Sequence, residues 1–159
     1  MKSLKIWSLA VVLLMAMVGC ENPDNDGNNG GGGVSGNLDA IAQEWKLVSV
    51  NGVPAEFNVY IGFTEEGTFT MYQQMYTLDY KFYDGTYEIS GNKLTGEYFD
   101  HGAWKSDYVG GISEDGSTLT LTSDEDNAIK SVYKSCEIPQ IVKDEALAGT
   151  RAEEVVPFL

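Results

Sequence analysis

The sequence predicts an all-β fold, an eight-stranded antiparallel up-and-down (meander) barrel over residues 38–138, with a short C-terminal helical tail. Three observations carry that expectation. Apolar and polar residues alternate with period two along most of this stretch, turn-forming residues recur at short intervals, and no segment sustains a helical period. Every connection is short, so each strand must pair antiparallel with the next. Closing such a meander buries its apolar face and removes its two edges together.

The strand-like runs follow in order. The first, Glu44–Val50, ends at Asn51-Gly52, a pair that tolerates positive φ and suits a tight turn. Runs 59–63 and 68–72 flank Thr64-Glu65-Glu66-Gly67, a four-residue hairpin signal. Run 76–83 is less regular and is punctuated by Asp84-Gly85. Runs 86–90 and 93–98 flank Gly91-Asn92, runs 104–112 and 118–122 flank Ser113-Glu114-Asp115-Gly116-Ser117, and run 129–137 is the last. Trp45, Leu47, Ile61, Phe63, Phe69, Met71, Tyr87, Ile89, Leu94, Tyr98, Leu119 and Leu121 form the apolar face, while Lys46, Thr68, Thr70, Glu88, Lys93, Thr95, Thr118 and Thr120 alternate outward. Residues 139–159 form the tail. There, Lys143 to Ala148 suits a short helix stopped by Gly149, and Thr150-x-x-Glu153 has the form of a capping box. Val155, Val156, Phe158 and Leu159 either pack on the barrel or leave the tail partly disordered.

Ahead of the barrel, Lys2 and Lys5 precede an apolar run, Ile6 to Val18, that ends in Val18-Gly19-Cys20. As a helix this run would reach only about 20 Å, against a hydrocarbon core of about 30 Å, so residues 1–19 read as an export signal rather than a membrane span. The ending resembles the lipobox of bacterial lipoproteins, with Met17 where that pattern more often has leucine. The resemblance implies cleavage before Cys20 and lipidation, palmitate included, of that cysteine; an ordinary secretory signal is the alternative. More than one acyl chain would anchor the chain durably, since each buried methylene contributes about 0.8 kcal/mol. Residues 20–37, rich in Asp, Asn and Gly, form a flexible linker with a typical span of about 23 Å. The expected address is the cell envelope, on the outer membrane, with the periplasmic or surface face left open.

Ten basic residues stand against twenty-four acidic ones. Removing the signal peptide leaves eight, and the formal charge moves from −14 to −16. A polyanion without a basic stripe repels phosphate, which excludes nucleic acid as a partner. The charge also suits a domain tethered above a membrane rather than lying on it, and a monomer is expected. With two cysteines, one committed to lipid, no disulfide framework is expected, and Cys136 reads as a small core residue. No metal or cofactor is expected, because Asp24-Asn25-Asp26-Gly27 lacks the later acidic ligand of a calcium loop. No catalytic residue is expected either. The single histidine, His101, follows no candidate nucleophile, and the pairs Glu65-Glu66 and Asp124-Glu125-Asp126 fall at turns, where solvated charge is ordinary.

The barrel region resembles the lipocalin-like domains of Bacteroidetes lipoproteins. The resemblance rests on Trp45 in an early strand after a short helical lead-in, on Phe63-Thr64-Glu65-Glu66-Gly67-Thr68-Phe69, on the stretch from Gly85 through Asn92 to Leu94, and on Gly116-Ser117-Thr118-Leu119-Thr120-Leu121. Gln43-Glu44-Trp45 stands where full lipocalins carry Gly-x-Trp. The resemblance implies a small hydrophobic molecule held in the cup of the barrel.

Fourteen of the eighteen aromatic residues fall between Phe57 and Tyr108. They either fill a small barrel or line a mouth for an amphipathic ligand. The candidate ligand-binding residues are Tyr72, Tyr76, Tyr87, Tyr98, Phe99, Trp104 and Tyr108, with a rim at 72–76 and 98–104. A buried carboxylate would require a cationic partner, yet the only arginine is Arg151 in the tail and most strand lysines point outward. A neutral or weakly polar ligand is therefore preferred. Two readings remain: a small-ligand binder, and an interaction or structural lipoprotein whose filled barrel contacts a protein or glycan through its outer surface.

Overall fold

The computed structural model describes residues 37–148 and 155–159. The expected signal peptide, Cys20, nearly all of the linker, Gly149 and the capping box at Thr150–Glu153 lie outside the described residues. Among the described residues ten strands and one helix form: β1 (Glu44–Val50), β2 (Val53–Pro54), β3 (Asn58–Phe63), β4 (Thr68–Gln74), β5 (Lys81–Ser90), β6 (Lys93–Tyr98), β7 (Gly102–Ala103), β8 (Tyr108–Ile112), β9 (Thr118–Ser123), β10 (Lys130–Ser135) and α1 (Gln140–Ala148). Eight of the strands close a barrel in the order β1-β3-β4-β5-β6-β8-β9-β10, and β10 returns to β1 with Trp45 opposite Ser135 and Leu47 opposite Tyr133. All pairings are antiparallel. The two-residue strands β2 and β7 are hairpin returns on β1 and β6.

The alternation read from the sequence sets the inside of the barrel. Trp45, Leu47, Ile61, Phe63, Phe69, Met71, Leu94, Tyr98, Leu119 and Leu121 are all buried in one core cluster. Tyr87 is half-buried against this cluster, and Ile89 lies exposed, because β5 overruns the end of the barrel there. Residues 81–90 form one strand rather than two runs broken at Asp84-Gly85, which reduces the strand-like runs to eight long strands. The reason is steric. A Cβ at Gly85 would lie 2.0 Å from the Glu97 carbonyl oxygen, so this glycine marks a close crossing of β5 and β6 rather than a turn.

The run expected at 104–112 is a strand only from Tyr108. Strands β6 and β8 pair only at Lys93–Val109 and Leu94–Tyr108. Beyond that seam the chain turns at Phe99 to His101, and Trp104 folds inward across Gly96, donating its backbone N–H to the Gly96 carbonyl at 2.9 Å. The Gly96 position has no room for a side chain, since a Cβ would lie 2.3 Å from the indole. Lys93 latches the short seam to Asp107 at 2.8 Å.

One end of the barrel is closed by the residues leading into β1. Leu38 and Ile41 are buried, and the Trp45 indole N–H donates to the Ile41 carbonyl at 2.9 Å. No helix forms in this lead-in. Helix α1 lies against the outside of the sheet, where Val142 and Ala146 pack with Tyr60, Tyr72 and Tyr80. Glu44 pins it by accepting from Lys143 Nζ at 2.9 Å and from the Ile138 backbone N–H. Cys136 is half-buried beside this cluster rather than in the barrel core. No helix of the described residues is long and apolar enough to cross a membrane.

Candidate functional site: the mouth of the barrel

The other end of the barrel is formed where β4 ends, β5 begins and β6 ends. Period-two alternation along β4 carries Phe69, Met71 and Gln73 to the inner face, and the same alternation brings Tyr83 of β5 and Tyr98 of β6 beside them. Gln73 is 0% exposed. A buried primary amide requires partners for its donor and acceptor, and here both come from the C-terminal segment of the chain. Gln73 Nε2 donates to the Val156 carbonyl at 3.0 Å, and Gln73 Oε1 accepts from the Phe158 N–H at 2.8 Å. The Tyr83 hydroxyl donates to the Val155 carbonyl at 2.7 Å, and the Tyr98 hydroxyl donates to the Leu159 oxygen at 3.1 Å. Phe158 packs on Phe57 with ring centroids 5.9 Å apart, and Leu159 is buried in the barrel core.

Below the mouth the interior is aromatic. Phe69 meets Tyr98 at 5.4 Å and Trp104 at 5.1 Å, and Trp104 meets Tyr108 at 6.0 Å, all edge-on. Burial pushes the Tyr98 and Tyr133 hydroxyls well above the ordinary tyrosine range, and neighbouring phenols add to the shift. Tyr108 is pushed up to about 12 by burial, with Glu125 adding to it. These groups stay protonated at neutral pH, and Tyr98 acts as a donor to Leu159. The Trp104 indole N–H is enclosed and has no hydrogen-bond partner among the described residues. The buried polar side chains among them are Gln73, Ser123 and Ser131, none of them charged. Among the described residues the interior thus carries neutral polar groups and no buried cation.

Of the sequence candidates, the structure brings Tyr98, Trp104 and Tyr108 together inside the mouth. Tyr76, 84% exposed, and Phe99, 63% exposed, stand outside it at the same end of the barrel. Tyr87 lies at the closed end, where its hydroxyl donates to the Thr64 carbonyl at 2.6 Å. Tyr72 points away from the interior and is covered by α1. His101 sits over the mouth, 5.4 Å from the Tyr83 ring and 6.0 Å from the Tyr98 ring. Sequence reasoning put Gln73 within the rim at 72–76 and offered packing of the tail on the barrel, but singled out neither Gln73 nor Tyr83 and did not join them to Val155–Leu159. Gln73 carried a signal, since a polar residue at an inward position of an apolar alternation requires a partner.

At the closed end an open groove of about 510 Å³ runs past Asp39, Ile41, Glu65, Tyr87 and Ile89. No cluster of histidine, cysteine and carboxylate residues among the described residues could hold a metal ion.

The family model of the lipocalin-like domain matches residues 41–125, and the chain belongs to that family. The match spans β1 to β9 and therefore seven of the eight barrel strands, leaving the closing strand β10, α1 and the C-terminal segment outside it. Among solved structures, the chain is similar to a lipocalin-like protein from Bacteroides uniformis, with 18% identity and a TM-score of 0.46 over 61% of this chain and 99% of that one. It is similar also to an uncharacterized protein from Bacteroides eggerthii, with 13% identity and a TM-score of 0.45 over 60% and 98% of the two chains. No curated protein matches the chain in sequence.

Proposed function

We propose that this chain is a non-enzymatic, lipid-anchored protein of the cell envelope, held to the outer membrane through Cys20, whose barrel mouth binds a small neutral or amphipathic molecule. The observation that carries the reading is the layered chemistry of the mouth. Gln73, Tyr83 and Tyr98 supply uncharged polar groups above an apolar, aromatic interior in which no described residue is a buried charge. Such a gradient suits a ligand with an apolar body and a few acceptors. Tyr76 and Phe99, exposed at the same end, would meet the part of the ligand that remains outside. The anchor would rest on the lipobox at Cys20, and the glycine-rich linker would hold the barrel within a few nanometres of the bilayer.

Native mass spectrometry of the protein purified from its host, beside a thermal-shift panel of neutral lipophiles and glycans, tests the binding reading. A copurifying molecule, or a raised melting midpoint that Trp104→Ala abolishes, is the expected result. A clean apo mass with no shift across the panel would favour a filled barrel that works through its outer surface, a reading supported by the burial of Leu159 within the core. Membrane fractionation of Cys20→Ser tests the anchor, which predicts release of the chain into the soluble fraction.

A further inference from the structure

The chemistry of what already fills the mouth narrows the ligand. All four hydrogen bonds between the mouth and Val155–Leu159 address main-chain groups: three donors meet the backbone oxygens of Val155, Val156 and Leu159, and one acceptor meets the N–H of Phe158. The Gln73 amide spans the two backbone groups that flank Pro157, a residue with fixed φ and no N–H of its own to satisfy. Side-chain contacts, by contrast, are apolar. Phe158 lies on Phe57, and Leu159 enters the core. A site that pairs with backbone amides and accepts apolar side chains reads the form of an extended peptide more than its sequence. The enclosed Trp104 N–H, unpartnered among the described residues, offers one further donor for a carbonyl placed deeper.

We infer that the mouth is a peptide site: it takes an extended, uncharged segment with a large apolar residue at its inner end, and Val155–Leu159 occupies it in cis until a peptide from another molecule replaces it. This inference rests on the reading of the mouth as the binding site and names the class of its ligand. Because the intramolecular segment competes, the affinity for an incoming peptide scales with the fraction of molecules in which the mouth is vacated. Loosening the segment without touching the mouth therefore tightens binding in trans.

The test uses the mature chain carrying Cys20→Ser, with a fluorescein-labelled, end-amidated copy of Val155–Leu159 as the peptide probe and Nile red as a neutral non-peptide probe. Phe158→Ala removes the segment's contact with Phe57 and leaves Gln73, Tyr83 and Tyr98 intact. Fluorescence anisotropy is expected to show the peptide binding about tenfold more tightly to Phe158→Ala than to the parent, and binding is lost when Gln73→Leu is added. If Phe158→Ala binds Nile red but not the peptide, the mouth remains a ligand site and the peptide class is overturned. If it binds neither while its circular dichroism is unchanged, both readings fall and the segment is a permanent part of the core. Should Phe158→Ala fail to fold, hydrogen exchange on the parent chain decides. Excess unlabelled peptide is expected to speed exchange at the Phe158 amide, and an unchanged rate overturns the inference.

Discussion

The Tyr98 hydroxyl, buried in the barrel, donates to the backbone oxygen of Leu159, sixty-one residues further along the chain, at 3.1 Å. The bond ties the end of the described chain to the strand that borders the weak seam of the barrel. Tyr98→Phe keeps the ring and its contact with Phe69 while removing the donor. It is expected to lower unfolding stability in urea by about 1 kcal/mol, the ordinary net value of one such bond. Amides in the C-terminal segment should exchange faster in this variant, while those in the β1–β10 pair stay unchanged. Equal acceleration in both places would mean that the bond supports the whole barrel rather than the segment.

Trp104 and Gly96 set a second expectation. The indole covers the glycine so closely that a Cβ would meet it at 2.3 Å, and Phe69 and Tyr108 stand against the ring at 5.1 and 6.0 Å and limit its retreat. Gly96→Ala overpacks this site and is expected to cost about 2 kcal/mol. Combining it with Trp104→Phe, which shrinks the ring, should recover part of the loss. Thermal melts of the four chains check the pattern, and simple additivity would show that the two residues do not share one space.

The interior phenols make stability fall in alkali. Burial raises Tyr108 to about 12 in the folded chain, with Glu125 adding to the shift, and Tyr98 and Tyr133 move in the same direction. The folded state thus holds these protons more tightly than the unfolded one. Their contribution is fully present below the ordinary tyrosine value near 10 and is lost as pH rises through about 12. The melting midpoint should be insensitive to pH between about 8 and 9.5 on account of these groups and should decline above about 10. Tyr108→Phe is expected to make that decline shallower; an unchanged slope would remove Tyr108 as a contributor.

How much of this was legible beforehand follows from where the physics is local. Period-two alternation in residues such as Phe69 and Met71 is a property of the strand alone, so the inward face, the meander and the closure could be read directly. Gly85 looked like a turn because a glycine after an aspartate carries the same letters whether it bends the chain or yields space to Glu97. Tyr72 looked like a rim residue because alternation says which side a residue faces, not what covers that side. The mouth was half legible for a similar reason. Tyr98, Trp104 and Tyr108 announce an aromatic interior, whereas Gln73 and Phe158 meet across eighty-five residues through contacts that no local pattern encodes.

Tyr72 allows the two faces of β4 to be separated by experiment. Its side chain is buried against α1 with Val142, Ala146 and Tyr60, while its neighbour Gln73 faces the mouth. Burial lifts the Tyr72 hydroxyl above its usual value, although Lys143 nearby draws it back. Tyr72→Ala opens a hole under the helix and is expected to cost about 3 kcal/mol, as large-to-small changes at buried sites do. The loss should concentrate in α1, where amide exchange quickens and the Glu44–Lys143 ion pair loosens. Binding of a ligand in the mouth should change by less than about twofold, because the removed ring touches no part of it and distant sites add nearly independently. Calorimetry of Tyr72→Ala and Gln73→Leu side by side makes the comparison. A loss of binding in the first variant as large as in the second would put the ligand on the helix side of the sheet and overturn the assignment of the mouth.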